Sequence, residues 1–267
     1  MSISPERRSS VQPTFAWIGL FVMVICLAWF QIAPAPERPV ATSRQGSRQK
    51  PSVALLIIDA GHGGQDSGAT RKGVLEKDLT LDVARRVEGL ARVHGLRTML
   101  TRSSDTSVSL ATRADTANRE NDCVLVSIHF GEGNRAVATG VQTFYATRQS
   151  PKSIIPSWLP FLHPLFPQPV NFESQSLAGF VQQALVAQTH AVDRGTHAEQ
   201  FFVVANVRHP AVLVEGGFLS NNEDIAKLAT EDYRQELAAA ITAGIVRYRD
   251  AVNQREQVLP LGTVMPE

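Results

Sequence analysis

Four side chains stand where apolar chain gives way to a turn or a helix: His62, Glu76, His129 and Glu215. His62 lies in Leu56-Ile57-Ile58-Asp59-Ala60-Gly61-His62-Gly63-Gly64, an apolar run of strand type that empties into a glycine-rich turn. The carboxyl end of a strand is where open α/β sheets place ligands, although a lone loop histidine is more often structural. The turn lacks both GxGxxG and the Lys-Ser pair of a phosphate loop, so a phosphate-cradling role has little support. His129 closes a second apolar run, Val124-Leu125-Val126-Ser127-Ile128-His129, and one sheet edge brings such strand ends together. Glu76 precedes a helix starting near Leu79, a place where a carboxylate ordinarily offsets the helix dipole. Glu215 ends Ala211-Val212-Leu213-Val214-Glu215, and desolvation in such surroundings raises a carboxyl pKa towards the range useful for acid–base work.

His, Glu and His with one further glutamate is the donor set of a catalytic zinc, which keeps a fourth position open; structural zinc is closed by four ligands, usually with cysteine. The two cysteines, Cys26 and Cys123, sit in no CxxC or Cys/His spacing, so a metal here would rely on His and carboxylate. The separations of 62, 76 and 129 are not those of a local motif such as HExxH, and spacing alone leaves coincidence open.

The elements that must position these residues alternate. Strand candidates are Val53–Asp59, Leu96–Thr101, Val124–His129, Val141–Ala146, Phe201–Ala205 and Ala211–Glu215. Helical spacing joins Leu79, Val83, Val87, Leu90 and Ala91; then Leu177, Val181, Leu185 and Gln188; then Tyr233, Leu237, Ile241, Ile245 and Tyr248. The alternation predicts an α/β domain over 53–250, with a mostly parallel sheet covered on both faces and a C-terminal tail at 251–267. Residues 148–174 break the rhythm with six prolines interleaved with Trp158, Phe161, Phe166 and Phe172, which excludes a regular helix or central strand there. A packed hydrophobic loop is the plain reading of this insertion; a lid, a docking surface or a membrane-facing patch are the sharper ones.

Of the 267 residues 43% are hydrophobic and 19% charged, which suits a globular chain with one sizeable core; the formal net charge of +1 gives no support to a nucleic-acid partner. Residues 15–33 form an apolar run of nearly membrane-spanning length behind Arg7 and Arg8, read as a signal-anchor, with a cleaved signal peptide as the alternative. Charge counting leaves its orientation open, since Arg38, Arg44, Arg48 and Lys50 beyond the run outnumber Arg7 and Arg8; residues 34–52, rich in Pro, Ser and basic residues, read as a flexible linker.

Read together, these motifs resemble the zinc-dependent N-acetylmuramoyl-L-alanine amidases, bacterial cell-wall enzymes of the cell-separation type. The resemblance runs from about Leu56 to Tyr248. It rests on Ile58-Asp59-Ala60-Gly61-His62-Gly63-Gly64 with Asp66, Gly68 and Ala69; Glu76-Lys77; Thr101-Arg102 with Asp105; Leu110 with Arg113; Ala117-Asn118; Ser127-Ile128-His129; Arg194-Gly195; and Val212-Leu213-Val214-Glu215 with Gly217-Phe218-Leu219-Ser220-Asn221, Asp224 and Leu228.

The resemblance implies a twisted sheet of about six strands, Zn2+ held by His62, Glu76 and His129, and Glu215 as the catalytic glutamate. It implies cleavage of the amide between the lactyl group of N-acetylmuramic acid and L-alanine, hence peptidoglycan as substrate, a cytoplasmic N-terminus at residues 1–14 and an extracytoplasmic, periplasmic domain, or a secreted one if the anchor is cleaved. Asp59 is expected to orient a ligand histidine. Phe130-Gly131-Glu132 replaces the family's usual Ala-Asn and is expected to alter the groove wall, with Glu132 able to approach the metal. Residues 148–174 stand where some members carry a blocking segment, so a gate opened by an activator protein is also expected. The competing readings are a catalytically silent peptidoglycan-binding domain tethered in the envelope and a related zinc peptidase.

Overall fold

The computed structural model describes residues 53–132, 138–149 and 171–258. The predicted anchor at 15–33, the linker at 34–52 and most of the insertion lie outside them. Among the described residues no helix is long and apolar enough to cross a membrane.

Six strands form one sheet: β1 (Leu55–Ala60), β4 (Arg97–Leu100), β5 (Cys123–Gly131), β6 (Val141–Tyr145), β7 (Asp193–Ala198) and β8 (Ala211–Phe218), in the order β4-β1-β5-β8-β6-β7. Two short strands, β2 (Thr70–Arg71) and β3 (Val74–Leu75), make a separate hairpin. Neighbours in the main sheet are parallel except β6 and β8, so the expected mostly parallel, six-stranded α/β sheet is what forms.

Why the strands read as unbroken apolar runs follows from cover on both faces. On one face Leu56, Ile58, Val124, Val126, Ile128, Val212 and Val214 pack under three long helices, α1 (Glu76–Val93), α3 (Phe172–Thr189) and α6 (Glu231–Val258). These helices present Leu79, Val83 and Val87; Leu177, Val181 and Leu185; and Leu237, Ile241 and Ile245. On the other face Leu55, Ile57, Leu125 and Leu213 meet the shorter α2 (Leu110–Asn118) and α4 (Phe202–Ala205). A further helix, α5 (Asn222–Leu228), follows β8.

The second face changes character along its strands. Side chains alternate across a sheet, so Leu55, Ile57 and Asp59 share it, as do Leu125, Ser127 and His129, and Ala211, Leu213 and Glu215. Each series begins apolar under α2 and α4 and ends polar at the carboxyl edge. The site lies at that edge.

Three expectations are corrected. Phe201–Ala205 is not a strand but is largely the single-turn helix α4, with Val203 and Val204 in the core. Glu76 does not precede a helix; it is the first residue of α1. The last helix does not end at 250 but continues to Val258, into the expected tail.

Candidate active site

After β1 the chain turns through His62 at φ 59°, Gly63 at φ 127° and Gly64 at φ 63°. A histidine in the left-handed region persists only where its surroundings over-determine it. Arg113 donates from Nη2 to the His62 carbonyl at 2.6 Å and from Nη1 to the Ala60 carbonyl at 2.5 Å. Arg102 donates to the carbonyls of Ala60 and Gly61 at 2.9 and 2.8 Å, and Thr80 Oγ1 donates to Gly61 at 2.8 Å. Lys77 and Asp105, ion-paired to each other at 2.7 Å, both hold Gly64, Lys77 through its carbonyl at 2.8 Å and Asp105 through its N–H at 2.7 Å.

Asp59 anchors this scaffold rather than a metal ligand. Fully buried, it accepts from Thr101 Oγ1 and Arg113 Nη1 at Oδ1 and from Ser127 Oγ at Oδ2, at 2.6–2.7 Å. The expectation that it orients a ligand histidine is therefore corrected. The carboxylate that meets a candidate ligand histidine is that of Asp66, whose Oδ2 lies 2.8 Å from His62 Nδ1.

With Nδ1 committed to Asp66, His62 turns Nε2 towards Glu76 Oε1, 3.1 Å away. His129 presents Nδ1 to the same oxygen at 3.0 Å. Glu76 is 4% exposed, and its remaining capacity is taken by the N–H groups of Ala69, at Oε2 (2.8 Å), and Phe130, at Oε1 (3.0 Å). Burial alone pushes the Glu76 carboxyl up, but the hydrogen bonds from His129 and His62 more than offset this and hold it well below the usual glutamate range. His62 is raised, chiefly by its bond to Glu76 and against the effect of burial.

These donor atoms lie within 4.8 Å of one another. Tetrahedral donors at about 2.1 Å from an ion stand roughly 3.4 Å apart, close to the 3.0 and 3.1 Å separations here, so the cluster fits a small divalent cation. Two imidazoles with one carboxylate and no thiolate is the ligand set of an open, catalytic zinc site. Among the described residues Glu132 is not part of the cluster, and it is exposed. Phe130 does not form the groove wall either, since it is 2% exposed in the core on the opposite face.

Glu215 reaches the site from β8, in register with His129 on the adjacent parallel strand. Burial raises its carboxyl above the ordinary glutamate value, opposed by a hydrogen bond from Gln142 Nε2 and by the charge on His129. All four residues singled out from the sequence thus meet at one edge of the sheet, three as a cluster and Glu215 one strand over.

The family profile for N-acetylmuramoyl-L-alanine amidase matches residues 56–247, which include every one of these residues. The chain belongs to the N-acetylmuramoyl-L-alanine amidases. It is 33% identical to the amidase LytC of Bacillus subtilis over 210 residues, 78% of this chain but 38% of LytC. It is 28% identical to the amidase AmiA of Salmonella typhimurium over 252 residues, 84% of this chain and 87% of AmiA. Among solved structures, the amidase of Clostridium difficile 630 superimposes with a TM-score of 0.64 at 32% identity, covering 75% of this chain and 98% of that one. The CwlD amidase of Clostridioides difficile, solved in complex with the GerS lipoprotein, gives 0.63 at 27% identity over 74% of this chain and 99% of its own.

Hydrolysis of peptidoglycan in the cell wall is accordingly the activity of this amidase. Three residues that the structure brings to the site received no role from the sequence, although Asp66 and Arg194 stand among the motifs that carry the resemblance. Asp66 sits four positions after His62, within side-chain reach across the turn. Gln142 faces the same way as Phe144 on β6 and pairs across strands with Glu215, a polar residue in a series otherwise destined for the core. Arg194 on β7 donates to Gln142 Oε1 at 3.2 Å.

Proposed function

We propose that this amidase is a zinc enzyme that cleaves the amide joining the lactyl carboxyl of N-acetylmuramic acid to L-alanine of the stem peptide. The observation that carries this reading is a half-buried carboxylate, Glu215, set in register beside His129 at a His-Glu-His cluster that fits a divalent cation. His62 Nε2, Glu76 Oε1 and His129 Nδ1 are the ligands. Zinc held there supplies Lewis-acid polarisation of the amide carbonyl and a bound water acidified to a pKa of about 7.

The remaining steps belong to this chain's own side chains. Glu215 accepts the proton of the attacking water, then returns it to the departing alanine nitrogen, so that it is ionised again after each turnover. Burial suits it to both halves, because a carboxyl raised above its ordinary value gives up a proton more readily than a free water and holds one more readily than an exposed glutamate. Asp66 keeps His62 in one tautomer.

Because the substrate lies outside the cytoplasmic membrane, an extracytoplasmic domain follows from this reading, tethered through residues 15–33 or secreted if that run is cleaved. A protein partner that governs access is expected from the insertion at 148–174; that an amidase of this family can bind a protein partner is supported by CwlD, solved in complex with the GerS lipoprotein. The test is mass spectrometry of soluble products after the full chain acts on purified peptidoglycan, beside Glu215→Gln and chelator-treated controls. Stem peptides with a free alanine amine from the wild type alone support the reading. Sugar-linked peptides cut elsewhere, or products persisting in either control, overturn it.

A further inference from the structure

The antiparallel junction between β8 and β6 sets Gln142 directly across from Glu215. The Gln142 side chain is 8% exposed, its Nε2 donates to Glu215 Oε2, and its Oε1 accepts from Arg194 Nε at 3.2 Å. The two ends of a primary amide are chemically distinct, one donor and one acceptor. A carboxylate at one end and a guanidinium at the other therefore leave a single amide orientation, since a flip would set carbonyl against carboxylate and N–H against guanidinium. Arg194 is held in turn, its guanidinium carbon 4.9 Å above the centre of the Phe218 ring.

The β5 backbone also approaches Glu215 Oε2. A Cβ added at Gly131 would fall 2.6 Å from Phe218 Cε1 and 2.9 Å from Glu215 Oε2, so that oxygen rests against the β5 backbone. Among the described residues Oε1 of Glu215 accepts no hydrogen bond and is left for a substrate-side proton.

We propose that Gln142 and Arg194 are positioning residues: Arg194 orients the Gln142 amide, and the amide fixes the rotamer of Glu215 so that Oε1 alone meets the reacting atoms. This rests on the reading of Glu215 as the proton carrier, and it assigns work to two residues that touch neither the metal ligands nor the scissile bond.

The experiment is steady-state kinetics of the full-length amidase on a soluble muropeptide, so that kcat and KM separate, with melting temperature and bound metal measured for each variant. Gln142→Leu is expected to lower kcat about 10- to 100-fold, with KM, metal content and melting temperature near wild type. Arg194→Met is expected to lower kcat about 3- to 10-fold, and Arg194→Lys to recover most of that loss. Because both act through one bond, the double variant is expected to be no slower than Gln142→Leu alone. Multiplying losses, or wild-type kcat in Gln142→Leu, overturn the proposal. Should Gln142→Leu fail to fold, the comparison of Arg194→Met with Arg194→Lys decides alone. Glu215→Gln keeps the two ideas apart: if it retains turnover, the reading of Glu215 falls, whereas a dead Glu215→Gln beside fully active Gln142 and Arg194 variants sinks only the positioning role.

Discussion

Gly61→Ala perturbs the geometry of the candidate metal cluster with little else. Gly61 does not lie in the left-handed region, so alanine brings no backbone strain there. What it brings is a methyl group 2.3 Å from His129 Cε1 and 2.5 Å from His129 Nε2. Ordinary contact begins near 3.4 Å, so the imidazole must retreat by about 1 Å. Its retreat is constrained, since Nδ1 already stands 3.0 Å from Glu76. Overpacking of this kind costs about 1–3 kcal/mol, partly offset by the 0.4–1 kcal/mol or so that Gly→Ala gains through the unfolded state, so the fold survives. Metal–ligand distances tolerate only about 0.2 Å, and a misplacement near 1 Å costs on the order of 100-fold in rate. Chelator competition should therefore show metal affinity down at least about 10-fold and kcat down about 100-fold, with a melting temperature only a few degrees lower. Wild-type metal affinity and turnover in Gly61→Ala would refute the placement of His129 as a ligand.

Other perturbations address the supporting groups. Asp66→Ala removes the partner of His62 Nδ1 and should weaken metal binding about 10- to 100-fold by chelator competition while leaving thermal stability of the metal-free protein nearly unchanged, since Asp66 is exposed. Asp59→Asn leaves the buried Arg113 guanidinium without its carboxylate and should cost about 3–5 kcal/mol in denaturant unfolding, far more than its distance from the metal ligands suggests. Burial pushes the Cys123 thiol up to about 12, so at pH near 8 it carries almost no thiolate; peptide mapping after iodoacetamide should find Cys123 unmodified in the native protein and modified once unfolded.

Much of the site was legible because its residues interrupt strong patterns. A histidine or glutamate closing an apolar strand has few ordinary explanations, and His129 and Glu215 stand out for that reason. The three long helices and the central strands were legible from periodicity, since their cores are continuous. The edge was not. β7, Asp193-Arg194-Gly195-Thr196-His197-Ala198, is almost wholly exposed and carries no apolar alternation, so nothing in the sequence marks it as a strand. Phe201–Ala205 has strand composition, but the chain closes a helical turn there, with the Ala205 and Asn206 N–H groups bonded back to the carbonyls of Phe201 and Phe202. Helix α2 begins on a Ser109 cap that bonds the Thr112 N–H, yet buries only Arg113, Ala114 and Ala117, too little apolar surface to register as amphipathic. Asp59 misled because proximity to His62 in sequence is not contact: its side chain shares a sheet face with Ser127, whereas Asp66 returns to His62 across the turn. Gln142 and Arg194 gain meaning only when β6 runs antiparallel to β8, a topological fact that local sequence does not encode.

The central claim is that His62, Glu76 and His129 hold a catalytic metal while Glu215 moves the proton. Metal content per chain, measured by elemental analysis beside the rate of peptidoglycan hydrolysis for wild type, Glu76→Ala and Glu215→Gln, tests both halves in one experiment. The account expects one zinc and full rate in the wild type, neither in Glu76→Ala, and one zinc without rate in Glu215→Gln. Zinc retained by Glu76→Ala, or turnover retained by Glu215→Gln, would contradict it.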